Sequence, residues 1–313
     1  MPRWNCVETD RFFTGRRISR TPAPAAGVFK KREPPCRSGD EKFHVESRIV
    51  SDLHEVYAVR YGHHDRKAHE NYIGGDPHDI LQPLAYFVWV IRGSHGTFVM
   101  DTGFDHAMAA KRGRVIVKPV ADGLTAIGID PEQVQDVIIS HLHYDHCGNH
   151  DLFPRARYHL QDMEIAYSTG RYMCHPLMRI PFEADDVVAM VRKVFAGRVV
   201  FHDGTEQVAP GITLHRIGGH SKGLQCVRVK TRRGYVVLAS DATHLYSHVN
   251  EGRVFPVTFS VGDVLEGYAT LRKLADSVDH VIPGHDPEVL ERYPAAAPGL
   301  EQLVVRLDVD PKK

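Results

Sequence analysis

At 313 residues, 42% hydrophobic and 25% charged, the chain is long enough to bury the core of one large α/β domain or two modest ones. Its 39 basic residues balance 39 acidic ones, so no global field attracts nucleic acid or an anionic membrane, and the expected partner is a small molecule. The five cysteines are odd in number, widely spaced and without a CxxC pair, which argues against both a disulfide framework and a zinc ribbon.

Residues 1–45 carry "RTPAPAAG" and "KKREPPCRSGDEK" with little periodic apolar pattern, the composition of an extension expected to stay flexible. The start lacks the apolar core of a secretory signal and no run reaches the roughly 18 residues of a membrane span, so a cytoplasmic protein is expected. Residues 46–313 are expected to fold as one domain. From Val56 onward the runs "VYAVRYG", "LAYFVWVIRG", "TFVMDTG", "DVIIS", "RYHLQ", "RVVFHDG", "ITLHRIGG", "LQCVRVKT", "YVVLASDA" and "HVIPGH" read as strands. Between the first two, "HHDRKAHENYIGGDPHDI" at 63–80 reads as a long polar loop, expected to wall an entrance or to make a homodimer contact.

Two helices are placed by their start signals. At "DPEQ", Asp130 is the expected N-cap with Pro131 first in the helix and Gln133 reaching back. In "SVGDVLEGYATLRKLADS", Val261, Val264, Leu265, Tyr268, Leu271 and Leu274 share a face. Each helix leads into a strand followed by a histidine. Four strands in all deliver a ligand-type side chain at their carboxyl ends: His141 after "DVIIS", His220 after "ITLHRIGG", Asp241 after "YVVLAS" and His285 after "DHVIPG". Loops at such a rim are where α/β proteins build sites.

The densest stretch is "ISHLHYDHCGNH" at 139–150. On a loop backbone His141 and His143, at i and i+2, point the same way and can share one metal, while Asp145 and His146 are free to face a second. Gly219 and Gly284 allow tight turns that bring His220 and His285 inward, and Asp241 can bridge two ions with its two oxygens. Imidazole and carboxylate without thiolate suit zinc, with iron, manganese or cobalt fitting the same donors. Isolated histidines such as His159, His202 and His215 read as ordinary strand or turn residues.

"SHLHYDH" resembles the HxHxDH signature of the metallo-β-lactamase superfamily, and "DTG" at 101–103, "GGHSKG" at 218–223, "SDA" at 240–242 and "IPGHD" at 282–286 are similar to its other motifs in order. The resemblance implies a single-domain, four-layer αβ/βα sandwich with two divalent ions at one edge of two packed sheets. His141, His143 and His220 would hold the first ion, Asp145, His146 and His285 the second, with Asp241 and a hydroxide bridging and Asp101 supporting from behind. The spacing is most similar to the N-acyl homoserine lactonase branch. The resemblance therefore implies a metal-dependent hydrolase in which the bridging hydroxide opens a lactone and Asp145 carries the proton to the leaving oxygen.

One position departs from that branch. Those lactonases typically carry a tyrosine three residues after the bridging aspartate, where "SDATHLY" has His244, so either His244 takes over as the catalytic donor or the substrate differs. Tyr246 is expected to face away. In the segment between His146 and His220, Tyr167, Tyr172, Met173 and Phe182, with Met163, Met178 and Ile180, suit an adaptable apolar pocket for an acyl chain. The competing class is a dinuclear phosphodiester, phosphotriester or other ester hydrolase, for which Lys222 and Arg171 are the candidate phosphate-binding cations.

Overall fold

The computed structural model describes residues 52–312; the extension 1–45, with Cys6 and Cys36, lies outside them. Among the described residues thirteen strands form two sheets: β1 (Glu55–His64), β2 (Leu84–Gly93), β3 (Gly96–Met100), β4 (Val115–Ile116), β5 (Asp136–Ile138), β6 (Arg157–Gln161), β7 (Val199–His202), β8 (Thr205–Ala209), β9 (Ile212–Arg216), β10 (Gln225–Thr231), β11 (Gly234–Ser240), β12 (Val281–Pro283) and β13 (Val304–Arg306). The first sheet runs β13-β1-β2-β3-β5-β6-β7, with β4 on β1; the second runs β12-β11-β10-β9-β8. All ten expected strands are present. The additional β4, β8 and β13 are short or polar edge pieces that carry little apolar alternation.

Pattern explains the layering. Along β1, Val56 and Ala58 face the second sheet, while Tyr57, Val59 and Tyr61 face helices on the other side. In β2, Ala85, Phe87, Trp89 and Ile91 join the inter-sheet core and Tyr86, Val88 and Val90 the outer one. A strand buried on both faces reads as a continuous apolar run, as "LAYFVWVI" does. On the second sheet Val227, Val229, Val236 and Leu238 point inward, and Cys226, Val237 and Ala239 meet the helix Val261–Leu274. The result is the expected four-layer αβ/βα sandwich. Burying each large side chain such as Phe87 or Ile91 contributes about 1.5–3 kcal/mol.

Connections follow the same logic. β1, β2 and β3 form an antiparallel meander, whereas β3, β5, β6 and β7 are parallel and need crossovers through helical segments. The helix Ala184–Phe195 ends where its apolar pattern does, and Val261–Leu274 carries β11 to its parallel neighbour β12.

Three local expectations are corrected. Residues Pro131–Gln133 form one 3-10 turn, not a longer helix: Asp130 does accept from the Glu132 amide, but the chain needs only a few residues to reach β5. Val261 and Leu265 are exposed, because the helix contacts the sheet along Val264, Gly267, Tyr268 and Leu271. His63 and His64 belong to β1, so the polar segment begins later than residue 63. Cys147, Cys174 and Cys226 are free thiols. Among the described residues no helix is long and apolar enough to cross a membrane.

Asp186, in the first turn of Ala184–Phe195, has a buried Oδ2 with no hydrogen-bond partner among the described residues. Burial, then Glu183 and Asp185, push its pKa up to about 6. A carboxyl raised in the fold costs nothing below its unfolded pKa near 4 and its full penalty above the folded value. Asp186→Asn is therefore expected to raise stability by about 1–2 kcal/mol at pH 8, after allowing for partial exposure, and to leave it unchanged at pH 3.5. Melting temperatures at the two pH values check this; equal shifts at both would refute it.

Candidate metal centre

The carboxyl ends of β5, β9, β11 and β12 converge where the two sheets meet. Buried Gln225, the first residue of β10, ties the second sheet to β6 and the end of β5: its amide N–H donates to Ser140 O (3.0 Å), and its side chain donates to Ile139 O (2.8 Å) and His159 O (3.1 Å). His141 and His143 lie on the loop after β5, and Asp145 and His146 on the short helix Tyr144–Cys147. The Tyr61 hydroxyl holds that helix by donating to Asp145 O at 2.8 Å.

The structure brings all seven expected ligands together, in two overlapping groups. In the first, His220 Nε2 lies 2.9 Å from His143 Nδ1 and 3.1 Å from Asp241 Oδ2, with His141 Nε2 3.8 Å from the same oxygen. In the second, Asp241 Oδ1 lies 2.9 Å from His285 Nε2 and 3.3 Å from His146 Nε2, and Asp145 Oδ2 is 3.7 Å from His146 and 3.9 Å from His285. Asp241 thus directs one oxygen to each group. His244 adds a further imidazole, its Nε2 3.0 Å from Asp241 Oδ2 and its ring stacked 3.8 Å from that of Phe255.

Such a cluster is costly unless something unites it. His141 Nε2, His146 Nε2 and Asp241 Oδ1 are buried with no hydrogen-bond partner among the described residues, and an orphaned buried polar atom costs about 1–3 kcal/mol. Inward-facing imidazole nitrogens around a shared carboxylate are the donor set of zinc and related divalent ions, and the residues fit two of them. Electrostatics agree. Burial, then neighbouring histidines, hold His141 and His143 well below the usual pKa, which favours the neutral form that a metal ligand needs. Burial alone would raise Asp241, but His244, His285, His146 and His220 hold it well below the carboxylate range. Burial likewise opposes charge on His146, yet Asp241, Asp145 and Asp101 outweigh it and raise its pKa.

Supporting contacts orient the ligands. Asp101 Oδ2 accepts from His146 Nδ1 (2.7 Å) and Ser140 Oγ (2.8 Å), its Oδ1 accepts from the Ser140 amide (2.7 Å), and Ser240 Oγ donates to Ser140 Oγ (2.9 Å). His285 Nδ1 donates to Ala85 O at 2.9 Å. Such partners set tautomer and ring direction. Among the described residues, Asp101 and Ser240 are the non-glycine positions with positive φ, 63° and 46°, and both flank the centre, where strain of this kind concentrates. Gly219 has the expected left-handed backbone (φ 86°), but Gly284 does not: a Cβ there would lie 2.8 Å from Asp241 Oδ1, so close approach is what excludes a side chain.

Glu164 was not legible in the sequence. It is fully buried and accepts from the amides of Leu142 and Gly223 (both 2.9 Å) and from Ser221 Oγ (2.7 Å), joining the loops of His143 and His220. A glutamate inside a short amphipathic helix carries no local mark of burial.

Two cavities open on the ligands. One, of about 100 Å³, is lined by Tyr86, Tyr144, Asp145, His244 and three arginines, Arg66, Arg112 and Arg114. The other is an apolar slot of about 140 Å³ past His143 and His220, lined by Tyr167, Met178, Pro256 and Phe259. Of the four expected substrate residues, Tyr167 lines this slot, and Phe182 packs edge-on against His143 with ring centroids 4.6 Å apart. Tyr172 and Met173 line separate depressions, Tyr172 together with Arg171 and Lys222. Tyr246 is buried in the inter-sheet core, away from His244, because it opens the helix Tyr246–Glu251; on an extended segment i and i+2 would share a side.

A profile described as the Metallo-beta-lactamase superfamily matches residues 81–285. The chain is 30% identical over 183 residues to the N-acyl homoserine lactonase AttM of Azorhizobium caulinodans, covering 56% of this chain and 66% of that protein. It is 30% identical over 174 residues to the N-acyl homoserine lactonase AiiB of Agrobacterium fabrum, covering 53% and 61%. The chain thus matches just under two thirds of these relatives' length. In fold it is similar to an N-acyl homoserine lactone hydrolase with N-hexanoyl-L-homoserine at its catalytic metal center (TM-score 0.63, 20% identity, 76% of this chain and 95% of that one). It is also similar to the dizinc quorum-quenching lactonase AidC (TM-score 0.57, 16% identity, 74% and 87%).

Proposed function

The chain belongs to the metallo-β-lactamase superfamily, and on that premise we propose that it is a metal-dependent hydrolase that opens a lactone ring, with an N-acyl homoserine lactone as the nominated substrate. The observation that carries this reading is the division of Asp241 between two histidine groups, with Asp145 beside one of them and a cavity above both. Two divalent ions, zinc by the donor set, would supply a water-derived nucleophile near neutral pH and polarise the ester carbonyl.

The chain's own residues do the rest. Asp145 lines the cavity beside His146 and His285, where it takes the proton of the attacking water and returns it to the leaving ring oxygen. His244, held by Phe255, presents a neutral imidazole to the carbonyl: burial pushes its pKa well down. The apolar slot beside Tyr167 and Phe259 receives an acyl chain and excludes water. The relatives named as N-acyl homoserine lactonases support the substrate class.

The test combines metal analysis with a hydrolysis panel of acyl homoserine lactones, other γ-lactones, aryl esters and phosphotriesters. Two equivalents of metal and highest kcat/KM on a lactone are expected, with turnover lost on chelation. A protein with two metals and no lactone turnover would overturn the reading, and preference for a phosphotriester would move it to the competing class.

A further inference from the structure

The polar cavity holds positive charge that a neutral lactone does not call for. Arg112 is matched: its guanidinium donates to Glu183 Oε1 at 2.6 and 3.1 Å. Arg66 and Arg114 are not, for neither makes an ion pair with a carboxylate among the described residues. Arg114 is held in place from behind, Nε donating to the Tyr144 hydroxyl (3.0 Å) and Nη1 to Arg112 O (2.7 Å) and His64 Nε2 (3.0 Å). Its Nη2 has no hydrogen-bond partner among the described residues. Arg66 donates to Glu70 O, leaves a buried Nε without a partner, and lies 5.1 Å over the ring of Phe255, the same ring that stacks on His244. Glu70 attracts it from a distance but makes no ion pair with it among the described residues; its Oε2 accepts from the Lys67 amide at 2.8 Å.

Two half-buried guanidinium groups on one wall repel each other and lose hydration. For Arg66 the surroundings do not offset this, and burial pushes its pKa down; around Arg114 they do, through Tyr86, Tyr144 and Asp145. His64 is a neutral acceptor, pushed down to about 4 by burial and then by Arg114 and Arg66; beside the hydroxyls of Tyr86 and Tyr144, the carboxylates lining the cavity are Asp145 and Asp241, which pair with histidines and with neither arginine. Fixed guanidinium donors with free N–H groups facing a cavity are the geometry that binds carboxylates. The wall also has a direction. The Tyr86 ring packs edge-on against His285 at 5.1 Å, and Asp145 and His285 line the cavity of the basic wall but not the apolar slot, which borders that cavity at His143 and His220.

We propose that Arg66 and Arg114 form an anion subsite, and that the substrate is a lactone bearing a carboxylate on its leaving-oxygen side rather than a neutral ring. The lactone part rests on the function proposed above; the anion subsite stands on the arginine pair alone.

The zinc-loaded enzyme is assayed with γ-butyrolactone carrying a γ-carboxylate and with the matching neutral γ-carboxamide. The carboxylate is expected to have at least about tenfold higher kcat/KM. Arg114→Met and Arg66→Met should each cost the carboxylate about 10- to 100-fold more than the carboxamide, mainly through KM, as loss of a charge-assisted contact predicts. Arg114→Lys should restore part of the preference. Equal kcat/KM for the two wild-type substrates, or equal losses in the variants, would overturn the subsite.

A binding measurement separates the two claims. Glutarate and butyrate are titrated calorimetrically into the same zinc-loaded protein, with glutarate expected to bind at least about tenfold tighter and to lose that advantage in Arg114→Met. Glutarate preference without lactone turnover removes the lactonase reading and keeps the subsite. Equal binding of the two acids removes the subsite even if lactones are hydrolysed. Should a variant fail to fold, the wild-type comparison of each pair decides.

Discussion

Asp145→Asn should keep two metal equivalents per chain while kcat on the best lactone falls by about 10²-fold or more. Asparagine retains a carbonyl oxygen for the His146/His285 group but cannot accept and return a proton. The fold around the position is undisturbed, because Tyr61 holds the residue 145 backbone carbonyl and not its side chain. Metal analysis beside single-turnover rates checks the prediction. A variant with two metals and unchanged kcat would reject Asp145 as the proton carrier; a variant that loses one metal would show that its role is ligation.

His244→Phe is the second large effect. Phenylalanine preserves the ring that stacks on Phe255 and fills the same buried space, but removes the nitrogen 3.0 Å from Asp241 Oδ2. If the imidazole stabilises charge developing on the carbonyl oxygen, kcat should fall by about 10²–10³-fold with KM little changed and metal content still two. A loss of metal instead of turnover per metal would place His244 among the ligands, and no effect on either would leave it a packing residue.

These predictions concern residues that were legible in the sequence, and the reason is local. His141, His143, Asp145 and His146 fall within six residues, and His220, Asp241 and His285 each follow an apolar run, so chain order alone marks them as strand-end side chains. Strand alternation likewise determined the layers: "LAYFVWVI" has to be buried on both faces, and Cys226 has to point away from Val227. Amphipathic period was less decisive where a helix is short or crosses a sheet at an angle, hence the single 3-10 turn at Pro131–Gln133 and the exposure of Val261 and Leu265.

Only the tertiary structure decided which partners stand behind and above the ligands. Glu164 reads as a solvated helix residue until the loops of Leu142 and Gly223 close over it, and Ser140 and Ser240 become one network only when the two sheets meet. The basic wall is the clearest case. Arg66 comes from the polar segment after β1 and Arg114 from the turn before β4, 48 residues apart in the chain. The cations considered from sequence, Lys222 and Arg171, lie in a different depression. Ligand chemistry is carried by residue type at a strand end, which a single sequence displays. Charge around a cavity depends on which guanidinium groups find a carboxylate and which do not, and that pairing exists only once distant segments have packed.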